Sequence, residues 1–339
     1  MKKKTKFLTV VWGRDYIRRF CNLSLPSFMA QGNLPALAAA TDLEVLIMTC
    51  RADFTCFEDY PAFHRLRETC PVRFVEIDDL VFKGLLTPGK ELLEPTSGNT
   101  GAALAVHAAA RGIPITLVMP SNVTEERRAF VRALGATIVD SPADQGSNGA
   151  VLLARAMAKA DPKYVSPDQY SNQANPKVHE ITTAPEIHAD LPEVDVVVAG
   201  LGTGGTATGL ARYFAREKPS VKIWAAEPMP GEKVTGLRSL EDGFTPEVMD
   251  TELLAGRILV NSRDSIVGAR ALARATGILA GPSTGATLAV ALRVARDAKP
   301  NSNIVFIACD AGWKYFSAGL GDGNLDEMED ALEGDVFWW

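Results

Sequence analysis

Val196-Val197-Val198-Ala199-Gly200-Leu201-Gly202-Thr203-Gly204-Gly205-Thr206 decides how this 339-residue chain is read. The short apolar run fits a strand buried on both faces, as in a parallel sheet. The glycines end it, and Thr206 to Arg216 then repeats apolar residues at helical period. A strand leading through such a loop into a helix start makes an anion site: the first N–H groups of the helix have no partner, and its dipole favours negative charge. Four glycines let the backbone approach a phosphate, while Thr203 and Thr206 add hydroxyl donors. A dinucleotide is the competing ligand, with Glu227 at the end of the next strand as its ribose acceptor, although GxGGT is not GxGxxG.

Outward from this loop, β-branched runs alternate with Ala/Leu/Arg stretches, the pattern of α/β layers on a largely parallel sheet. Strands are expected at Phe7–Trp12, Glu44–Met48, Val72–Ile77, Leu92–Glu94, Ile115–Met119, Thr137–Val139, Val196–Ala199, Lys222–Ala226 and Ile304–Ala308. Helices are expected at Thr100–Ala110, Glu125–Leu134, Asn148–Ala160, Thr206–Arg216, Ile266–Ala275 and Gly285–Ala298. Residues 1–80 read as strand, helix, strand, helix, strand and hold four of the five cysteines; the turn Leu86-Thr87-Pro88-Gly89 closes them.

Composition narrows the function class. With 47% apolar and 22% charged residues the balance is globular, and Lys+Arg 35 against Asp+Glu 41 gives a net charge of -6, which argues against a nucleic-acid partner. No apolar run approaches the roughly 18 residues of a membrane span, and Phe7–Gly13 is too short for a signal core, so a cytoplasmic location is expected. Cys21, Cys50, Cys56, Cys70 and Cys309 show no CxxC spacing and are read as reduced structural thiols. His64, His107, His179 and His188 lack ligand spacing, and no metal is expected.

Three further loops carry polar chemistry. Pro95-Thr96-Ser97-Gly98-Asn99-Thr100-Gly101 lies between a short strand and an Ala-rich helix; its N–H groups and the Thr96, Ser97 and Thr100 hydroxyls suit a carboxylate or phosphate, and Asn99 suits a phenolic oxygen. A capped turn is the plain alternative. Gly281-Pro282-Ser283-Thr284-Gly285 precedes another helix, and Asp310-Ala311-Gly312-Trp313-Lys314-Tyr315 follows the strand ending at Ala308.

Taken in order, these loops resemble the fold-type II pyridoxal phosphate enzymes, specifically the cysteine synthases, over about residues 84–339. The likeness rests on Glu94 to Gly101, Met119-Pro120 with Glu126-Arg127-Arg128, Gln169-Tyr170-Ser171-Asn172 with Ala174-Asn175-Pro176, the GTGGT loop and the GPSTGA loop. Asp310 to Tyr315 and the acidic tail Asp326–Gly334 are most similar to the cysteine synthase B, or O-phosphoserine sulfhydrylase, branch. The resemblance implies a two-lobed, tryptophan synthase β-like fold with helices on both faces of mostly parallel sheets. It implies a small carboxylate-binding lobe at 81–165, a large cofactor lobe at 166–339, and a homodimer. Its cofactor would be pyridoxal 5'-phosphate, with Gly202, Thr203, Gly204, Gly205 and Thr206 around the phosphate, Asn99 at the ring hydroxyl and Ser283 at the pyridine nitrogen. Thr96, Ser97, Thr100 and Gln169 would hold the substrate carboxylate. The implied reaction is β-replacement on an activated serine, with a sulfur donor as second substrate and L-cysteine as product.

Two departures stand against that pattern. The family's Schiff-base lysine lies about thirty residues before Ser97, and that interval lands on Thr69, in a segment Arg65-Leu66-Arg67-Glu68-Thr69-Cys70 unlike the family's. Lys83 is the weak candidate to replace it, so the catalytic residue is left unassigned and impaired activity is expected. Met229 follows Glu227-Pro228 where phosphoserine-using relatives carry an arginine, leaving O-acetylserine open as the donor; Lys233 and Arg238 are read as surface charges. Residues 1–80 match another kind of α/β protein, as in a hybrid chain, with a nucleotide-sugar transferase type suggested by element order alone. Asp78-Asp79 reads as a solvated pair, and Trp338-Trp339 either folds back toward the cleft or frays. The alternative function is a non-catalytic binding protein for a phosphorylated metabolite or a partner's C-terminus.

Overall fold

A computed structural model of the chain describes residues 4–10, 14–49, 51–76, 86, 89–318 and 320–321. Lys83, Asp78-Asp79, Cys50, the acidic tail and Trp338-Trp339 lie outside the described residues. The chain divides into two compact units, residues 1–88 with 110–113, and the remainder.

In the first unit β1 (Lys4–Val10), β2 (Asp42–Thr49) and β3 (Val72–Glu76) run parallel in that order. Parallel neighbours need a crossover between them. The first contains α1 (Arg14–Arg19), a π-turn, α2 (Leu25–Phe28) and α3 (Leu34–Ala40); the second contains a 3-10 segment and α4 (Pro61–Thr69). Pro26, Pro35 and Pro61 sit in first turns, where a missing N–H leaves no hydrogen bond unmade. Ile17, Leu25, Ile47, Phe57, Phe63 and Leu66 form a core of this unit's own. Burial pushes the Cys21 thiol there up to about 12, which makes it inert, and the four described cysteines are unbridged.

The second unit carries two parallel sheets. The first comprises β4 (Glu91–Pro95), β5 (Ile115–Pro120), β6 (Thr137–Ser141) and β7 (Tyr164–Val165) in the order β6-β5-β4-β7, with α5 (Asn99–Arg111), α6 (Glu125–Ala133) and α7 (Gly146–Ala160) as connections. α8 (Ala174–Ile181) and α9 (Thr183–Asp190) lead into the second sheet. There β8 (Val194–Gly200), α10 (Gly205–Glu217), β9 (Lys222–Pro228), β10 (Gly256–Val260), α11 (Ser262–Thr276), α12 (Pro282–Asp297) and β11 (Asn303–Phe306) give the order β10-β9-β8-β11. The apolar run of β8 explains the layering: alternate residues face opposite sides. Val196 and Val198 pack with Ala286, Ala289 and Val290 of α12, while Val197 and Ala199 pack with Ala207, Leu210 and Phe214 of α10. The mostly parallel α/β architecture expected from the pattern is therefore present.

The structure adds β7, β10, α8 and α9 to the expected elements, and it moves helix starts upstream. α11 begins at Ser262 rather than Ile266 because the Asn261 side chain accepts from the Asp264 N–H at 2.7 Å, capping an extra turn. Among the described residues no helix is long and apolar enough to cross a membrane.

Candidate active site

The loop between β8 and α10 is held from two sides. The Leu201 N–H donates to the Ala226 carbonyl and the Arg238 N–H donates to the Leu201 carbonyl, each at 2.8 Å. Gly204 sits in the left-handed region at φ 82° and forms the N-cap of α10, a conformation glycine adopts without penalty. Asn175 Nδ2 donates to the Gln169 carbonyl and to Thr203 Oγ1, both at 2.8 Å, and Thr203 Oγ1 also accepts from the Gly205 N–H. A Cβ on Gly205 would lie 2.0 Å from Asn175 Oδ1, so glycine there is what allows the asparagine brace. Thr206 Oγ1 bonds His179 Nε2 at 3.1 Å, and His179 Nδ1 bonds Thr183 Oγ1 at 2.9 Å. Burial pushes the His179 imidazole down, so it stays neutral and acts as a strut.

Two further loops converge here. A Cβ on Gly202 would meet the Gly236 carbonyl at 3.0 Å, and one on Gly236 would lie 3.5 Å from the Ser283 side chain. Ser283, 3% exposed, opens α12 beside Thr284, whose hydroxyl accepts from the Cys309 N–H at 2.9 Å. The strands end together, at the carboxyl edge where parallel sheets collect ligands. Glu227 is spent structurally: its buried carboxylate accepts from Ser239 Oγ, the Leu240 N–H and Arg257 Nη1 at 3.3, 2.7 and 2.6 Å. It fixes the loop after β9 and has no role left for a ribose, which removes the geometry a dinucleotide would require.

The loop after β4 forms a second network. Thr96 Oγ1 accepts from the Gly98 and Gly101 N–H groups at 3.1 and 3.2 Å, which leaves its own proton to donate. Thr100 Oγ1 donates to Gln169 Oε1 at 2.7 Å, and Gln169 Nε2 donates to the Pro95 carbonyl at 3.1 Å. Glu94 beneath them accepts from the Asp168 and Gln169 N–H groups; burial, with a smaller contribution from Asp168, pushes its carboxyl up to about 8. Arg127, 8% exposed, donates from Nη1 to the Ser97 carbonyl at 2.6 Å and covers the Tyr315 ring at 4.4 Å, while its Nη2 has no partner. Thr96, Ser97, Thr100 and Gln169 are thus drawn into one cluster.

Asn99 faces elsewhere. Its Nδ2 donates to Asp310 Oδ2 at 2.9 Å and its Oδ1 accepts from Lys314 Nζ at 2.5 Å. Lys314 pairs with Asp310 at 2.8 Å, and the Tyr315 hydroxyl donates to Asp310 Oδ2 at 2.5 Å. Burial, reinforced by Asp310, pushes the Tyr315 phenol up, so it remains a donor. Asp310 Oδ1 is buried without a hydrogen bond, against the backbone of Gly281. Sequence reading quoted Asp310, Lys314 and Tyr315 only as a signature and gave Arg127 no role.

Thr69 is the last residue of α4, half-buried, with its hydroxyl donating to the Arg65 carbonyl at 2.8 Å, which is an ordinary helix-end bond. Arg238 corrects an expectation. It is part-buried, donates to Asn148 Oδ1 at 2.8 Å and lies over the Phe244 ring at 4.4 Å, so it packs inside the fold instead of standing at the surface. Lys233 is exposed.

Residues 64–310 match the pyridoxal-phosphate dependent enzyme family. The cysteine synthases A of Escherichia coli (strain K12) and Salmonella typhi are each 40% identical over 278 residues, covering 77% of this chain and 86% of the relative. Among solved structures, a cysteine synthase from Entamoeba histolytica is 33% identical with a TM-score of 0.65, covering 74% of this chain and 78% of that one. An O-ureido-L-serine synthase is 35% identical with a TM-score of 0.67, covering 75% and 83%. The loops and the likeness agree, and the chain belongs to the cysteine synthase family of pyridoxal-phosphate dependent enzymes.

Proposed function

We propose that this chain catalyses β-replacement on an activated serine, exchanging its leaving group for sulfur to give L-cysteine, at a rate lowered by the loss of the family's lysine segment. The observation that carries the reading is the convergence of the glycine loop, Gly236 and Ser283 at one sheet edge. Those residues fit pyridoxal 5'-phosphate. Loop 200–206 contains no carboxylate, leads into the N-terminus of α10 and offers two threonines; Ser283 offers a ring nitrogen a hydroxyl. When bound, the cofactor supplies the electron sink that stabilises charge at Cα.

The chain's own groups divide the remaining work. Thr203 and Thr206 are fixed by Asn175 and His179, so the phosphate loop is preorganised before binding. Thr96, with its proton left to donate, and the second N–H of Gln169 are aimed from one network and suit a carboxylate. Neutral Ser283 leaves a ring nitrogen unprotonated, which suits elimination at Cβ. Met229 brings no charge to a leaving group, which favours acetyl over phosphate. Absence of the general base lowers the rate on the order of 10² to 10⁴. A homodimer belongs to the same reading.

Cysteine release from O-acetylserine and sulfide, by chain saturated with cofactor, tests this. Turnover above the protein-free control and well below that of the relatives is expected; rates equal to theirs would overturn the impairment. A second reading is favoured by Thr69: the chain binds cofactor or substrate without turnover. Saturable binding with no cysteine formed would establish it.

A further inference from the structure

Among the described lysines, Lys314 is the one whose Nζ is hydrogen-bonded to a residue of the candidate cofactor site. We propose that Lys314 replaces the missing family lysine as the amine that binds the cofactor covalently. This rests on the pyridoxal phosphate reading above. The ring of that cofactor carries its aldehyde next to its hydroxyl, and Asn99 is the residue expected at the hydroxyl. The amine 2.5 Å from Asn99 Oδ1 is therefore the described lysine nitrogen with a claim on that aldehyde.

The surroundings supply what condensation needs. The Lys314 side chain is 17% exposed and that of Asp310 is 6% exposed, so the pair is largely removed from water. The ammonium must first lose a proton. Asp310 Oδ2, 2.8 Å from Nζ and also accepting from Asn99 and Tyr315, is the carboxylate oxygen placed to take it. The free amine then adds to the aldehyde carbon; the new N–C bond becomes C=N as the carbonyl oxygen leaves as water, with no oxidant or reductant required. Both polar ends of the Asn99 amide are already engaged, one by Lys314 and one by Asp310.

Trapping tests this. The whole chain is incubated with pyridoxal phosphate, freed of unbound cofactor by gel filtration, reduced with borohydride and mapped by peptide mass spectrometry; retained cofactor is measured separately by equilibrium dialysis. The expected result is a pyridoxyl mass on the Lys314 peptide, falling to background in Lys314→Arg while dialysis still shows retention. Arginine keeps the charge opposite Asp310, and circular dichroism checks that the variant is folded. Label on another lysine, Lys83 included, or undiminished total label in Lys314→Arg, overturns the assignment. Retention with no label also overturns it and leaves the cofactor reading standing. Absence of retention in the parent chain overturns the cofactor reading, and this assignment with it.

Discussion

Gly205→Ala puts a methyl group 2.0 Å from Asn175 Oδ1 and 2.4 Å from its Cγ, distances that no Cβ contact reaches, so Asn175 has to leave its place. Its Nδ2 then gives up the Gln169 carbonyl and Thr203 Oγ1. At about 1 kcal/mol each, the two bonds amount to about 2 kcal/mol of stability. Asn175→Ala removes the same bonds directly and is expected to destabilise by the same amount. The double variant has no amide to collide with, so it should lose about 2 kcal/mol rather than the additive 4, a coupling of about 2 kcal/mol. The cycle is measured by urea unfolding of the four proteins, together with hydrogen exchange across residues 169–206. The local probe is needed because a chain with two units need not unfold in one step. Cofactor affinity should fall about fivefold or more in all three variants if half or more of that energy is lost from the phosphate loop. Additive losses, or a Gly205→Ala protein as stable as the parent, would refute the brace.

Glu94 makes the fold sensitive to pH. Its carboxyl is raised from an ordinary 4.5 to about 8, chiefly by burial, so it stays protonated in the folded chain while the unfolded chain ionises. Its contribution is greatest below pH 4.5, declines by about 1.4 kcal/mol per unit up to about pH 8 and is flat above; Glu94→Gln should remove that component of the slope in urea midpoints, and an unchanged slope would contradict it. The buried Arg293–Asp264 pair, at 2.5 Å with side chains 7% and 2% exposed, gives a second test. Arg293→Met should destabilise by about 3 to 5 kcal/mol and Arg293→Met with Asp264→Asn by clearly less, by denaturant midpoints. Met229→Arg should raise kcat/KM for O-phosphoserine relative to O-acetylserine by about tenfold or more, and an unchanged ratio would argue that residue 229 does not face the leaving group.

Much of the architecture was legible because β8 is unambiguous: alternate residues of one apolar run bury against α12 and α10, and a glycine loop follows. β7 escaped because two residues carry no period, and only pairing with β4 makes Tyr164–Val165 a strand. β10 lies after the irregular Leu253-Leu254-Ala255 and becomes a strand through its register on Trp224 to Pro228 of β9. The loops of the candidate site were legible as loops between a strand and a helix where their motifs are local, as in Thr96–Thr100 and Gly200–Thr206. The Asn99–Lys314 bond joins residues 215 apart in the chain, and no local pattern encodes it. Arg238 read as a surface charge because its partners Asn148 and Phe244 come from different elements.

Equilibrium dialysis of pyridoxal phosphate against the whole chain, with Thr203→Val and Thr206→Val as comparisons and inorganic phosphate as competitor, tests the account most directly. The account predicts saturable retention of about one cofactor per chain, weakened in each variant and displaced by phosphate. No saturable retention, or retention indifferent to both threonines and to phosphate, would contradict it.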